Sequence, residues 1–140
     1  MPEMAAAGQK LLYQFGPGLG YLATVRKDGG PRVHPFCPIV SDGELWAFVL
    51  TRSPKGQDLL RDGRYSLHAF PKPDTDDEFY VSGTATVVDD PARRRSVADA
   101  TTANVGELEE TLFALDIERA LLAVYETRPQ WPPVYTVWRA

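Results

Sequence analysis

Two tight turns in the first third of the chain constrain its fold more than any other feature. The sequence KDGG at 27–30 separates the apolar run 21–26 from the run 31–40, and SDG at 41–43 separates the latter from 44–51. Asp and Gly tolerate the positive φ that short hairpin turns require. Parallel strands would instead need a crossover of about a dozen residues or more. The opening half is therefore predicted to be an antiparallel meander.

Turn residues and apolar periodicity place the other elements. A short amphipathic helix is predicted roughly from Met4 to Gln14. The later predictions are a helix over 53–63, strands over 64–70 and 79–88, a helix from 90 to about 103, a second helical piece over 106–115, and strands over 119–126 and 133–139. The predicted fold class is mainly β with helices, a small antiparallel barrel of six or seven strands.

Length and composition predict a single domain over residues 1–140. A chain of 140 residues with 44% hydrophobic side chains can bury a substantial core. Its formal net charge of −4 gives no basic field for nucleic acid. No signal peptide or membrane-length apolar stretch is visible, so a cytoplasmic location is expected, with neither nucleic acid nor a membrane as a partner.

The stretch TRSPK at 51–55 concentrates hydroxyl and basic groups where a strand gives way to a helix. Ser53 and Pro54 are typical of an N-cap and a first helical position, so a structural cap alone is one interpretation. A helix N-terminus is partly positive, and cations there without acidic partners are unfavourable. A bound anion would reverse this, and Thr51, Arg52, Ser53 and Lys55 together suit a phosphate.

The second strand has two prolines, Pro35 and Pro38, which remove ladder donors and favour a sheet edge or a bulge. Strand alternation divides this segment into two faces. One face carries Arg32, His34 and Phe36, and the other carries Val33, Pro35 and Cys37. A flat ligand could lie along this edge. The alternative is an edge strand protected from aggregation by proline.

Other catalytic or metal patterns are weak. Cys37 and His34 are three residues apart in a strand and face opposite ways, so a nucleophile pair would need a bulge, and a buried structural thiol is expected. Ser53 has no nucleophile-elbow motif. The acidic stretch PDTDDE at 73–78 lacks the ligand spacing of a calcium loop, so no metal site is predicted.

With these residues in place, most of residues 18–90 resembles the pyridoxamine 5′-phosphate oxidase-like, flavin-binding split-barrel family. The resemblance is carried by ATVRKDGGPRVHPF at 23–36, DGELWAF at 42–48, and Ser53-x-Lys55 followed by Asp58-Leu59. It departs from members that oxidise pyridoxamine phosphate, which tend to have arginine at His34 and lysine near Ile39. Asp58 stands where asparagine is common. The closer likeness is to the short members of the family.

The resemblance implies a flavin-dependent oxidoreductase that uses FMN or a deazaflavin coenzyme. The implied phosphate ligands are Thr51, Arg52, Ser53 and Lys55. The flavin ring is implied to lie against Val33, His34, Pro35 and Phe36, and Trp131 and Trp138 to close the site from a partner subunit. A homodimer with cofactor sites at its interface is therefore expected. A non-catalytic flavin carrier or sensor, and a ligand-free interaction module, remain alternatives.

Overall fold

The computed structural model describes residues 2–107, 109–125 and 132–140. Within these ranges the fold has three helices and eight strands. The helices are α1 Pro2–Leu12, α2 Pro54–Arg61 and α3 Pro91–Asp99. The strands are β1 Gly20–Val25, β2 Pro31–Phe36, β3 Ile39–Ser41, β4 Glu44–Leu50, β5 Arg64–Ala69, β6 Glu78–Val87, β7 Glu110–Val124 and β8 Val134–Arg139.

All strand pairs are antiparallel, in the order β2-β1-β5-β6-β7-β4-β3, and β8 pairs with β7 outside this path. The first and last strands of the path, β2 and β3, are joined in the chain by only Cys37 and Pro38. The sheet must therefore curl until its two edges approach. The result is a split barrel whose seam lies at residues 37–38, and it confirms the predicted fold class.

The predicted hairpin turns form for the expected reason. Between β3 and β4, Asp42 and Gly43 both have positive φ (53° and 74°), and Ser41 pairs with Glu44. Two consecutive residues with positive φ form a tight turn whose twist matches that of the strands. Between β1 and β2, Gly29 has φ 84° and the Asp28 carboxylate accepts the Gly30 amide at 2.9 Å. The meander is thus encoded locally.

Two sequence predictions need correction. The predicted second helix over 106–115 is wrong, because residues from Glu110 onward belong to β7, which pairs with both β4 and β6. The single strand predicted over 31–40 is interrupted at Cys37 and Pro38, where β2 ends and β3 begins after a two-residue break. Pro38 has no amide hydrogen to donate to a ladder, which favours the break there.

The core fills the barrel and continues on the outer face of β4. Inside, Leu22, Leu67, Val81 and Phe113 are almost fully buried. Outside, Trp46 and Phe48 of β4 join Val97 of α3 in a second cluster. This burial on both faces explains the continuous apolar run LWAFV at 45–49 in β4, because a strand covered on both sides does not need to alternate. Helix α2 lies beside β1 and β4, and its Leu59 belongs to the cluster inside the barrel.

Candidate functional site

Helix α2 begins with a serine cap. Ser53 has an extended backbone, and its Oγ accepts a hydrogen bond from the Gly56 amide at 3.1 Å. The same hydroxyl donates to the Leu50 carbonyl at 2.7 Å. Pro54 occupies the start of the helix, and the first turn contains no acidic side chain. The predicted cap is therefore present, and no carboxylate in that turn offsets the positive end of α2.

Two cations stand beside this helix start. The Nζ atom of Lys55 lies 5.9 Å from the centroid of the Phe36 ring, so the side chain reaches from α2 to β2. Lys55 is half-buried, whereas Arg52 is exposed. Across residues 2–107, 109–125 and 132–140, neither of them forms a salt bridge with a carboxylate. Lys55 consequently brings an uncompensated positive charge to the space between the two elements.

Strand β2 presents two different faces. Arg32, His34 and Phe36 are half-buried or buried, and the first and last of these contact side chains of α2. Val33 and Pro35 are exposed on the opposite face, as strand alternation requires. The structure therefore brings His34 and Phe36 together with Lys55 but leaves Val33 and Pro35 on the outside of this chain. Their predicted contact with a flavin ring stays a prediction.

We give the name β2–α2 groove to the surface where this strand and this helix meet. It contains Arg32, His34, Phe36, Lys55 and Asp58.

His34 contributes an unsatisfied polar atom to the β2–α2 groove. Its Nε2 atom is buried and has no hydrogen-bond partner in the part of the chain that the structure describes. Burial lowers the pKa of His34 below its ordinary value, and the nearby charges of Lys55 and Arg32 lower it further. A buried nitrogen without a partner costs free energy, and a ligand can recover it. This atom is therefore a candidate contact for a bound molecule.

Asp58 holds the floor of the groove. The residue is 2% exposed, and its carboxylate accepts hydrogen bonds from Thr24 Oγ1 (2.8 Å), Arg32 Nε (2.7 Å) and Arg61 Nη2 (2.9 Å). Burial opposes ionisation of this carboxyl, but the hydrogen bonds from Arg32, Thr24 and Arg61 outweigh it, so its pKa lies below the usual value. Asp58 is thus an anionic anchor for two arginines.

Sequence reasoning did not select Arg32, Asp58 or Arg61 as site residues. The signals were present, because Arg32 shares the β2 face of His34, and Asp58 follows Lys55 by three residues, on the same face of α2. What could not be read from the sequence was the approach of α2 to β2, since their hydrogen bond joins residues 26 positions apart.

Two other predicted site residues, Thr51 and Trp138, contact other parts of the barrel. Thr51 Oγ1 is 2.7 Å from Thr111 Oγ1, so its hydroxyl already has a partner on β7. Trp138 lies on β8, where it pairs with Ala120 of β7 and packs against the barrel core. Trp131 lies outside the described residues. The phosphate role of Thr51, and the roles of Trp131 and Trp138 toward a partner subunit's cofactor, stay predictions.

Cys37 and the cavities add no catalytic group to the groove. Cys37 is exposed, so the expectation of a buried thiol is wrong; it lies in the two-residue break between β2 and β3 rather than within a strand. A cavity of about 180 Å³ lies under α1, but its lining, which includes Met4, Phe79, Ile117 and Trp138, is apolar. An anion would find no donor there. Among the described residues, no group of three or more His, Cys, Asp or Glu is placed to hold a metal ion.

Among the described helices, none has the length and apolar composition that crossing a lipid bilayer requires.

The fold and the groove together define a class, a split β-barrel with a cationic groove between its second strand and its second helix. The chain belongs to the pyridoxamine 5′-phosphate oxidase family, whose model matches residues 9–131. A search of curated proteins found no significant match.

Three solved structures illustrate the likeness. General stress protein 26 from Bacillus anthracis str. Sterne is 17% identical, with a TM-score of 0.69 and 99% of each chain covered. A heme binding protein from Mycobacterium smegmatis is 17% identical, with a TM-score of 0.72 over 96% of this chain. This chain spans only 57% of the length of that protein. An F420 reductase is 23% identical, with a TM-score of 0.59, and 74% of this chain and 89% of that one are covered. At these identities the likeness shows the fold alone.

Proposed function

We propose that this protein is a flavin-dependent oxidoreductase that binds FMN or a deazaflavin coenzyme at the β2–α2 groove. The observation that carries the proposal is the arrangement of Lys55 and the unsatisfied His34 Nε2 beside a helix start that has no acidic side chain. A phosphate would compensate the charge of Lys55, and a ligand atom could satisfy His34. Family membership and an F420 reductase of the same fold support the choice of a flavin-type cofactor.

In this proposal the chain's residues bind and orient the cofactor. Lys55 and Arg52 attract the phosphate to the positive end of α2. Phe36 and His34 bound the groove and keep water from its floor. The flavin supplies the electron or hydride transfer, and the protein supplies binding, orientation and electrostatics. Because the flavin carries out the transfer, no side-chain acid or base is required, and we assign none.

The phosphate role of Lys55 can be tested by comparing FMN with riboflavin, which lacks the phosphate. Removing one charge-assisted hydrogen bond costs about 1.5–3 kcal/mol, so Lys55→Ala should weaken FMN binding roughly ten- to a hundredfold. Riboflavin binding should barely change. Lys10→Ala, an exposed lysine on α1, is the matched control and should leave both affinities unchanged. Equal weakening of FMN and riboflavin by Lys55→Ala would count against a phosphate at this position.

Ser53→Ala separates capping from binding. The hydroxyl caps α2 through the Gly56 amide, so its loss should cost about 1 kcal/mol of folding free energy. If the hydroxyl also contacts the phosphate, FMN affinity should fall while riboflavin affinity stays the same. Urea unfolding and flavin titration on the same variant give both quantities.

The homodimer expected from the family resemblance is part of this proposal. Strand β8 exposes Val134, Tyr135 and Val137, and it has a strand neighbour, β7, on one side. Exposed apolar side chains on both faces of an edge strand favour association with a second copy. Sedimentation of the flavin-bound protein should give a dimer at micromolar concentration. A stable flavin-bound monomer would contradict this part of the proposal.

Two alternatives make different predictions. A ligand-free interaction module would purify without a flavin absorption band and would not acquire one on titration. A flavin carrier or sensor would show the band, but its reduced flavin would not pass electrons to an acceptor. Mass identification of the small molecule released on denaturation would choose between FMN and a deazaflavin.

A further inference from the structure

The β2–α2 groove continues past Lys55 along α2. Asp58 lies three residues after Lys55 and Arg61 three residues after Asp58, so each step is about 4.5 Å along the helix axis. Arg32 crosses from β2 to meet Asp58 at the middle of this row. A second cationic region therefore lies about one helical turn beyond the proposed phosphate position.

Charge balance leaves this region positive. The one carboxylate of Asp58 contacts two guanidinium groups, those of Arg32 and Arg61. Arg61 is further occupied, because the same Nη2 atom that contacts Asp58 also donates to the carbonyl of Val25 at 2.9 Å. The Asp58 side chain is 3% exposed and contacts both arginines from the buried side. It compensates one arginine charge and leaves the second.

Arg32 is the group of this region that can accept a ligand. It is held to Asp58 through Nε, and within the described ranges its two terminal nitrogens donate no hydrogen bond. Its side chain is 30% exposed, so part of it is open to solvent and to a ligand at the β2–α2 groove. A guanidinium that is fixed at one edge keeps a planar pair of donors that matches a carboxylate or phosphate.

We propose that Arg32, positioned by Asp58, forms a second anion subsite, about one helical turn from the phosphate position at the start of α2. This inference rests on the proposed function, because it assumes that the first anionic group of the ligand lies near Lys55. The subsite takes a further carboxylate or phosphate of the same cofactor molecule. The groove then favours a flavin-type cofactor whose tail carries two or more anionic groups over FMN, which carries one phosphate.

Calorimetric titration of the full chain with orthophosphate and with tripolyphosphate tests the subsite without a flavin. Tripolyphosphate can reach both positions, whereas orthophosphate fills one. Wild-type protein should bind tripolyphosphate at least tenfold more tightly than orthophosphate. Arg32→Gln should weaken tripolyphosphate binding roughly ten- to a hundredfold, the range expected for one charge-assisted contact. It should weaken orthophosphate binding less than about threefold.

A matched control removes the same charge elsewhere. Arg95 is exposed on α3, and Arg95→Gln should leave the preference for tripolyphosphate unchanged. Arg32→Lys keeps the charge but loses the planar pair of donors, so it should show an intermediate loss, and it serves as the test if Arg32→Gln fails to fold. An unchanged preference in the folded Arg32 variant, or equal weakening of both anions, would overturn the subsite.

The two proposals fail in different ways. If Lys55→Ala leaves both anions unaffected, the phosphate position at α2 is wrong, and with it the basis of the proposed function. If Lys55→Ala weakens both anions but the Arg32 variants keep the wild-type preference, the phosphate position stands and the second subsite is wrong.

Discussion

Asp58→Asn offers the sharpest test of how this barrel is held together. Wild-type Asp58 is 2% exposed, and its carboxylate accepts three hydrogen bonds, from Thr24, Arg32 and Arg61. Removing one partner of a buried ion pair costs about 3–5 kcal/mol. Here Arg32 and Arg61 are 30% and 37% exposed at their side chains and keep access to water, which reduces the loss. The amide oxygen can also still accept a bond, so we expect a loss of about 2–3 kcal/mol.

Urea unfolding followed by circular dichroism measures this change. The midpoint should fall while the dependence on urea stays the same, because the folded structure is retained. Asp74→Asn is the control, because the Asp74 side chain is 72% exposed and its Oδ2 lies 3.8 Å from Lys72 Nζ. This substitution should change the free energy of unfolding by less than about 0.5 kcal/mol. An Asp58→Asn protein as stable as wild type would refute the view that this carboxylate anchors the groove.

The stability difference between wild type and Asp58→Asn should depend on pH in a definite direction. Burial would raise the pKa of Asp58, but the hydrogen bonds from Arg32, Thr24 and Arg61 hold it below the ordinary 3.8. A carboxyl with a lowered folded pKa stabilises the fold above its unfolded pKa, and this stabilisation is lost as the pH falls through the folded pKa. The difference in unfolding free energy between wild type and Asp58→Asn should therefore be constant above about pH 5 and shrink below pH 3.8. A difference that grows on acidification would contradict the assigned direction.

Three further variants or titrations probe separate features. Gly56→Ala, which would stabilise an ordinary exposed helix, should instead destabilise the protein by about 1–3 kcal/mol, because a Cβ there would collide with the Leu50 carbonyl; thermal melting gives the sign. Phe113→Ala should cost about 3–5 kcal/mol in urea unfolding, since Phe113 is fully buried in the barrel. In an NMR titration His34 should show a pKa below 6.5, and Lys55→Ala should move it toward 6.5, because burial and the charge of Lys55 both lower it; a value above 6.5 would be inconsistent with this environment.

Local signals sufficed for the turns and caps. The positive φ values of Asp42 and Gly43, and the caps at Ser53 and Asp90, follow from residue types that need no distant partner. The failure at 106–115 has a different origin. Glu107, Leu108, Glu109 and Glu110 belong to residue types that favour helix, and this local preference was given more weight than pairing. In the fold, residues 110–114 pair with β4, and tertiary pairing overrides propensity.

The groove was only half predictable. Lys55 was predicted from the cations at a helix start that has no acidic partner, and the face of His34 from strand alternation. The role of Asp58 depends on Thr24 and Arg32, which come from two other strands. Such a contact is fixed by how the sheet curls, so a single sequence does not reveal it. The likeness to asparagine-bearing relatives even marked Asp58 as a departure, whereas the structure gives it the most contacts in the groove.

The position of β7 in the sheet dictates the order in which this chain can assemble. Strand β7 is the neighbour that joins β4 to β6, so it links the β3–β4 hairpin to the β2-β1-β5-β6 sheet. During synthesis both pieces must wait for residues 110–124, with β4 and β6 as open edges. Pairings between residues so distant in sequence close slowly, and open edges recruit other chains. Ribosome-bound chains that stop before residue 110 should therefore depend on chaperones, and full-length chains should close the barrel only after β7 has left the exit tunnel.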